Sequence, residues 1–145
     1  MSKNKYIETP EKLLEYFERY KEYIKSKPFL VKDWVGKDAD QVHREKERPL
    51  TMEGFECWCY DNKIINDLSH YFCNKDKRYT DYVAVCSRVK KAIRQDQIEG
   101  GMAGVYNPSI TQRLNGLVEK TQTDNVHEVK KFEVEILKSN YEDTE

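Results

Sequence analysis

Residues 80–117 read TDYVAVCSRVKKAIRQDQIEGGMAGVYNPSITQRLNGL, two apolar-striped segments joined by a glycine-rich link. Tyr82, Cys86, Val89 and Ile93 recur every three or four residues, the spacing that keeps one helix face apolar. Thr80 or Asp81 opens this helix, which is expected to run to about residue 99, while Lys90, Lys91 and Arg94 mark another face. Roughly 20 residues at about 1.5 Å each give ~30 Å, enough to cross a small domain. Gly100 and Gly101 are expected to end the helix or to let two backbones pack closely. Asn107 then supplies a side-chain cap and Pro108 the favoured first helical residue. Ile110, Leu114 and Leu117 form a second stripe, so 79–118 reads as a helical hairpin.

The same cap chemistry recurs upstream. Thr9-Pro10 opens a helix whose apolar positions are Leu13, Leu14, Phe17, Tyr20 and Ile24, ending before Pro28. Thr51 caps another, with Met52, Phe55, Trp58 and Cys59 inward, and the 61–63 stretch closes it. Asn66 or Asp67 is expected to cap a short helix over 67–73 carrying Leu68, Tyr71 and Phe72. Helix, turn and short helix make a helix-turn-helix pattern. Between the first two helices, the β-prone residues of 29–35 and the alternation of Val42, Arg44 and Lys46 flank turn residues 36–40, so a β-hairpin is expected.

Residues 119–145 differ in character. Phe132, Val134 and Ile136 alternate with Glu133 and Glu135, the pattern of a strand. A lone strand leaves its backbone groups unpaired and needs either the early hairpin or a strand of another subunit. The expected organisation is therefore mainly α. Residues 1–78 form an N-terminal helical module with a β-hairpin, 79–118 a helical hairpin for assembly, and 119–145 a C-terminal strand and tail.

Charge is unevenly placed on this 145-residue chain, although the net is only -1. Residues 74–94 hold seven basic and two acidic side chains, whereas 123–145 hold three basic and seven acidic ones. Locally clustered cations suit the phosphates of double-stranded DNA. Lys75, Lys77, Arg78, Arg88, Lys90 and Lys91 are the candidate phosphate contacts, with Arg44, Lys46 and Arg48 assisting from the hairpin although Glu45 and Glu47 dilute them. Any base reading is expected from Asn66, Ser69 or His70. Solvated faces of the same composition are the plain alternative.

Catalytic chemistry is not legible. The GGMAG run at 100–104 lacks a preceding strand and a following Lys-Ser/Thr, so it is no phosphate loop. No HExxH or nucleophile-elbow pattern occurs, and His43, His70 and His127 are far apart in sequence. Cys57, Cys59, His70 and Cys73 have a C-x-C…H-x-x-C spacing, but a CxC pair on a helix points its thiols about 200° apart. Free thiols, no metal, no cofactor and no enzymatic activity are the expectation. No apolar run approaches the ~18 residues of a membrane span, and MSKNKYIETPEK lacks the apolar core of a secretory signal, so a cytoplasmic location is expected.

IRQDQIEGGMAGVYNPSITQRLNGL at 93–117 resembles the small subunit of tailed-bacteriophage terminase, the viral DNA-packaging protein. ERPLTMEGFECWCY at 47–60 and NKDKRYTDYVAVCSRVKKAIRQ at 74–95 resemble the same family, so the likeness covers roughly 47–118. It is carried by a small-residue hinge and the opening of the last core helix, here Gly101, Ala103, Gly104, Tyr106, Asn107, Pro108 and Ile110. The resemblance implies a non-catalytic, phage- or prophage-encoded protein of the host bacterial cytoplasm. It implies a homo-oligomeric ring of about eight to ten copies, recognition of viral DNA near the packaging start, and recruitment and regulation of a large ATPase-nuclease subunit. One departure is that the first helix and the 29–48 hairpin precede the helix-turn-helix, so the DNA-binding face could be built differently. Under this reading Tyr82, Cys86, Val89, Ile93, Tyr106, Ile110, Leu114 and Leu117 are the assembly residues, and Phe132, Val134 and Ile136 meet a partner. A dimeric helix-turn-helix regulator of phage or bacterial origin, or a scaffold without nucleic acid, are the other classes.

Overall fold

In the computed structural model, residues 6–117 are described. The strand expected at Phe132, Val134 and Ile136, and the 119–145 tail with it, lies outside them. The fold is mainly helical with one short β-hairpin near its N-terminal end. In order it runs α1 (Pro10–Lys25), β1 (Phe29–Val35), β2 (Asp40–Lys46), α2 (Met52–Asp61), α3 (Ser69–Phe72), two 3₁₀ turns (Lys75–Lys77 and Thr80–Tyr82), α4 (Val83–Met102) and α5 (Pro108–Leu114).

Three helix starts follow from their caps. The Thr9 hydroxyl accepts from the Lys12 amide, Thr51 from Gly54 and the Asn107 side chain from Ile110, each satisfying one of the orphan amides of a first turn. The α1 stripe buries Leu13, Phe17, Tyr20 and Ile24 against Phe55, Trp58 and Cys59 of α2. Phe17 meets Phe55 edge-on with ring centroids 5.4 Å apart, and Tyr20 lies at the same distance from Phe55. Such aromatic pairs add about 0.5–1.5 kcal/mol beyond area burial. Tyr82, Cys86, Val89 and Ile93 of α4 join this same core. The 1–78 and 79–118 modules read from the sequence therefore share one hydrophobic interior.

Ile7 is fixed from both sides across the chain. Its amide donates to the Tyr71 hydroxyl at 3.0 Å, and its carbonyl accepts from the Tyr82 hydroxyl at 2.6 Å.

Two expected boundaries move. α4 begins at Val83 after a 3₁₀ turn and continues through Gly100 and Gly101 to Met102. The glycines do not end it, because they serve packing: a Cβ at Gly100 would overlap the Tyr106 ring, and one at Gly101 would lie 2.8 Å from the Thr111 methyl. The chain leaves the helix at Gly104, whose φ of +73° suits a residue without a Cβ. α3 is helical only over Ser69–Phe72, with Leu68 at its start; the Asp67 carboxylate still accepts from the Ser69 amide at 2.7 Å. α5 returns along α4, where the Arg94 guanidinium donates to the Asn115 carbonyl and the Asn115 amide to Gln97.

The hairpin stands apart from the core. β1 and β2 pair antiparallel from Phe29↔Lys46 to Val35↔Asp40, and none of their residues is fully buried. No helix among the described residues is long and apolar enough to cross a membrane.

Candidate nucleic-acid interface

The basic side chains singled out by sequence fall into three places. The first is the turn after α3. His70, Lys75, Lys77 and Arg78 are all exposed there, and Lys75 Nζ lies 3.3 Å from His70 Nε2. Asn74, Asp76 and Lys77 have φ of 49°, 55° and 57°. Asn and Asp tolerate this left-handed region, while for Lys it is strained. Side-chain bonds hold the turn in shape: the Tyr79 amide donates to Asn74 Oδ1 at 2.8 Å, and the Thr80 hydroxyl to the Lys77 carbonyl at 3.0 Å. Arg78 and Asp76 approach only to 3.9 Å at exposed positions, a separation at which an ion pair contributes little.

The second place is α4. Arg88 and Lys91, with Ala84, Ser87 and Gln95, line a shallow depression; by helical spacing this is the side opposite Cys86, Val89 and Ile93. Lys90 sits on a flank, its ammonium 5.6 Å from the Phe72 ring centroid. The third place is the hairpin and the segment after it. Arg44 is paired to Asp33 at 2.7 Å, Lys46 is exposed opposite Phe29, and the Arg48 guanidinium lies over the Phe29 ring at 5.0 Å. Arg44 and Arg48 thus already have partners within the chain.

Asn66, Ser69 and His70 gather at the start of α3, all exposed. Asn66 and His70 border a cleft of about 650 Å³ that also takes in Tyr6, Tyr60, Asp67, Tyr71 and Tyr79. Hydrogen bonds from Ser69 hold the Asp67 carboxyl below the usual carboxylate range. Burial, then the charges of Asp67 and Glu53, push Glu56 upward. Tyr71 was expected inward on the short helix, but Tyr6, Tyr60 and Tyr79 are residues that periodicity does not reveal. Tyr60 follows the buried Cys59 on α2 and points away from the stripe, so only the polar stretch after it, 61–63, hinted at a surface feature.

The assembly residues divide in two. Tyr82, Cys86, Val89 and Ile93 are at most 6% exposed within the chain's own core. Their stripe is closed chiefly by α1 and α3 and is buried within the single chain. Ile110 and Leu114 are 57% and 69% exposed, and Leu117, Val105 and Met102 also face outward. Tyr106 is turned inward, its hydroxyl accepting from Lys25 at 2.7 Å.

All four cysteines are free: Cys59 and Cys86 are buried, Cys57 and Cys73 exposed. Among the described residues no group of His, Cys, Asp or Glu is arranged to hold a metal ion. Comparison with known proteins finds no matching family model and no matching curated protein.

Proposed function

We propose that this protein is a small terminase subunit: a non-catalytic, ring-forming protein of the host bacterial cytoplasm that binds viral double-stranded DNA and recruits the large ATPase-nuclease subunit. The observation that carries the reading is the exposed apolar row at the α4–α5 end. Met102, Val105, Ile110, Leu114 and Leu117 are all open to solvent in the single chain. Five exposed apolar side chains within sixteen residues of one helical hairpin favour covering by another protein. A cyclic assembly covers them with one repeated heterologous contact. The resemblance over 47–118, centred on the hinge and Tyr106-Asn107-Pro108, supplies the family.

In this reading α4 and α5 are the helical hairpin of the ring, and α2 with α3 the helix-turn-helix. α3 spans only about 6 Å at ~1.5 Å per residue, so Asn66, Ser69 and His70 act at one point of a groove. Lys75, Lys77 and Arg78, with Arg88 and Lys91 on α4, take the phosphates. Repetition round a ring multiplies contacts that are weak in each near-neutral subunit.

The test is the mass of the intact protein beside that of an Ile110→Asp/Leu114→Asp variant, read with duplex binding. The wild type is expected at about eight to ten times the 17.3 kDa chain, and the variant far below it with weakened duplex affinity. A wild type at twice the chain mass would favour the dimeric regulator, whose half-sites lie about 34–36 Å apart.

A further inference from the structure

Two cavities meet at α3. The larger, about 650 Å³, lies where the end of α2, the 61–67 loop and Tyr79 come together. The smaller, about 130 Å³, is bordered by Lys75, Asp76 and Arg78. His70 and Tyr79 line both, so an aromatic cleft and a notch with a cationic excess lie side by side.

We propose that this paired site binds one unpaired nucleotide whose base carries an exocyclic amino group, with the base in the tyrosine cleft and the phosphate at Lys75 and Arg78.

The cleft has the size of small-ligand sites, roughly 300–1,000 Å³. Tyr60 is 61% exposed and Tyr6 82%, so their ring faces are open to stack on a planar base, an interaction that every base accepts. At the floor the Tyr71 and Tyr79 rings already lie 4.3 Å apart, which fixes the wall on which a base would rest. Selectivity comes from the polar edge. Asp61 and Asp67 are acceptors and outnumber the one ammonium of the cleft, Lys63; Asp67 holds the Ser69 amide with one oxygen and retains lone pairs for more. Carboxylates repel a phosphate but accept from amino groups. Adenine, cytosine and guanine present such amino donors, whereas thymine presents only a ring N3–H flanked by two carbonyl oxygens that a carboxylate repels. The balance is one net negative charge in the cleft (Asp61 and Asp67 against Lys63) and one net positive in the notch (Lys75 and Arg78 against Asp76), so the phosphate is directed to the notch, where Lys75 stands 3.3 Å from His70. A base paired in a duplex offers neither its faces nor its pairing edge, so the ligand is unpaired.

This deepens the DNA-binding reading, since single-stranded DNA is one source of such a nucleotide, and it rests on that reading only for the source. The test titrates the full chain with dCMP, dAMP and dTMP, and with eight-residue dC and dT oligonucleotides, by NMR chemical shift. dCMP and dAMP should bind at least about tenfold more tightly than dTMP. Tyr60→Ala should weaken them about tenfold or more, while Tyr60→Phe retains binding; the exposure of Tyr60 leaves the fold intact in both. Asp67→Asn should erase the preference over dTMP. Lys75→Ala should remove the advantage of dCMP over deoxycytidine. An octamer of dC binding far better than dCMP identifies DNA as the source, and equal binding identifies a free nucleotide; both support the site. Equal affinity for dCMP and dTMP, or an inert Tyr60→Ala, overturns it. Loss of the ring with nucleotide binding intact would remove the terminase reading and leave this site standing.

Discussion

Lys25 Nζ lies 2.5 Å from Asp96 Oδ1, joining the last turn of α1 to the middle of α4. The same ammonium donates to the Tyr106 hydroxyl at 2.7 Å and pairs with Glu47 at 2.7 Å, while the other Asp96 oxygen accepts from the Leu50 amide at 2.8 Å. Four separate segments therefore converge on one ion pair. Burial works against the Lys25 charge, but the bonds to Asp96, Glu47 and Tyr106 outweigh it and hold its pKa above the ordinary value. Because Tyr106 leads into α5, this cluster sets the angle at which the exposed apolar row is presented.

Replacing Asp96 with Ala should lower stability by about 1–3 kcal/mol, since it leaves the Leu50 amide without its acceptor and the Lys25 charge with Glu47 as its one remaining carboxylate. Tyr106→Phe, which removes only the hydroxyl, should cost about 1 kcal/mol. Urea unfolding of both variants checks the order, and an Asp96→Ala chain as stable as wild type would contradict it.

Stability should fall as the pH rises above about 9, where an ordinary cysteine titrates. Burial pushes Cys59 up to about 12 and Cys86 to about 11, and burial with the charge of Tyr71 pushes Tyr82 to about 12. In the unfolded chain these groups lose their protons earlier, so above pH 9 the unfolded state binds fewer protons and is favoured. Lys25 acts in the same direction: its contribution is complete below 10.5 and is lost as pH rises through its higher native value. Urea midpoints at pH 7, 9 and 10.5 should decline in that order. A midpoint unchanged to pH 10.5 would refute the assignment.

Cys57 and Cys73 should react with a thiol reagent within the mixing time of the folded protein, and Cys59 and Cys86 only as fast as it unfolds. Mass spectrometry of the modified chain distinguishes two labels from four.

Much of this fold was legible in the sequence because it is local. Thr9-Pro10, Thr51 and Asn107-Pro108 carry their caps within three residues, and the 29–46 hairpin shows its turn in Gly36 and its neighbours. What was hidden is long-range. The glycines read as either a helix end or a close approach; the close approach is what forms, but nothing near Gly100 announces that the Tyr106 ring is the group that lies on it. Lys25 and Asp96 are 71 residues apart, and no periodicity links them. The candidate site divides along the same line. The basic run at 74–94 was visible, while the tyrosine cleft beside it was not, because Tyr6, Tyr60 and Tyr79 meet only after folding.

Substituting Lys75, Lys77 and Arg78 together with Ala should reduce the slope of log affinity for duplex DNA against log salt by about 2–3 units. All three are exposed, so the fold should be unaffected. An unchanged slope would remove this turn from the interface.

Native mass spectrometry of the full chain at low micromolar concentration reads the assembly state itself. Closed-ring assembly predicts a single species at about eight to ten times 17.3 kDa, dispersed by Ile110→Asp/Leu114→Asp. A species at 17.3 kDa that persists as concentration rises would contradict it.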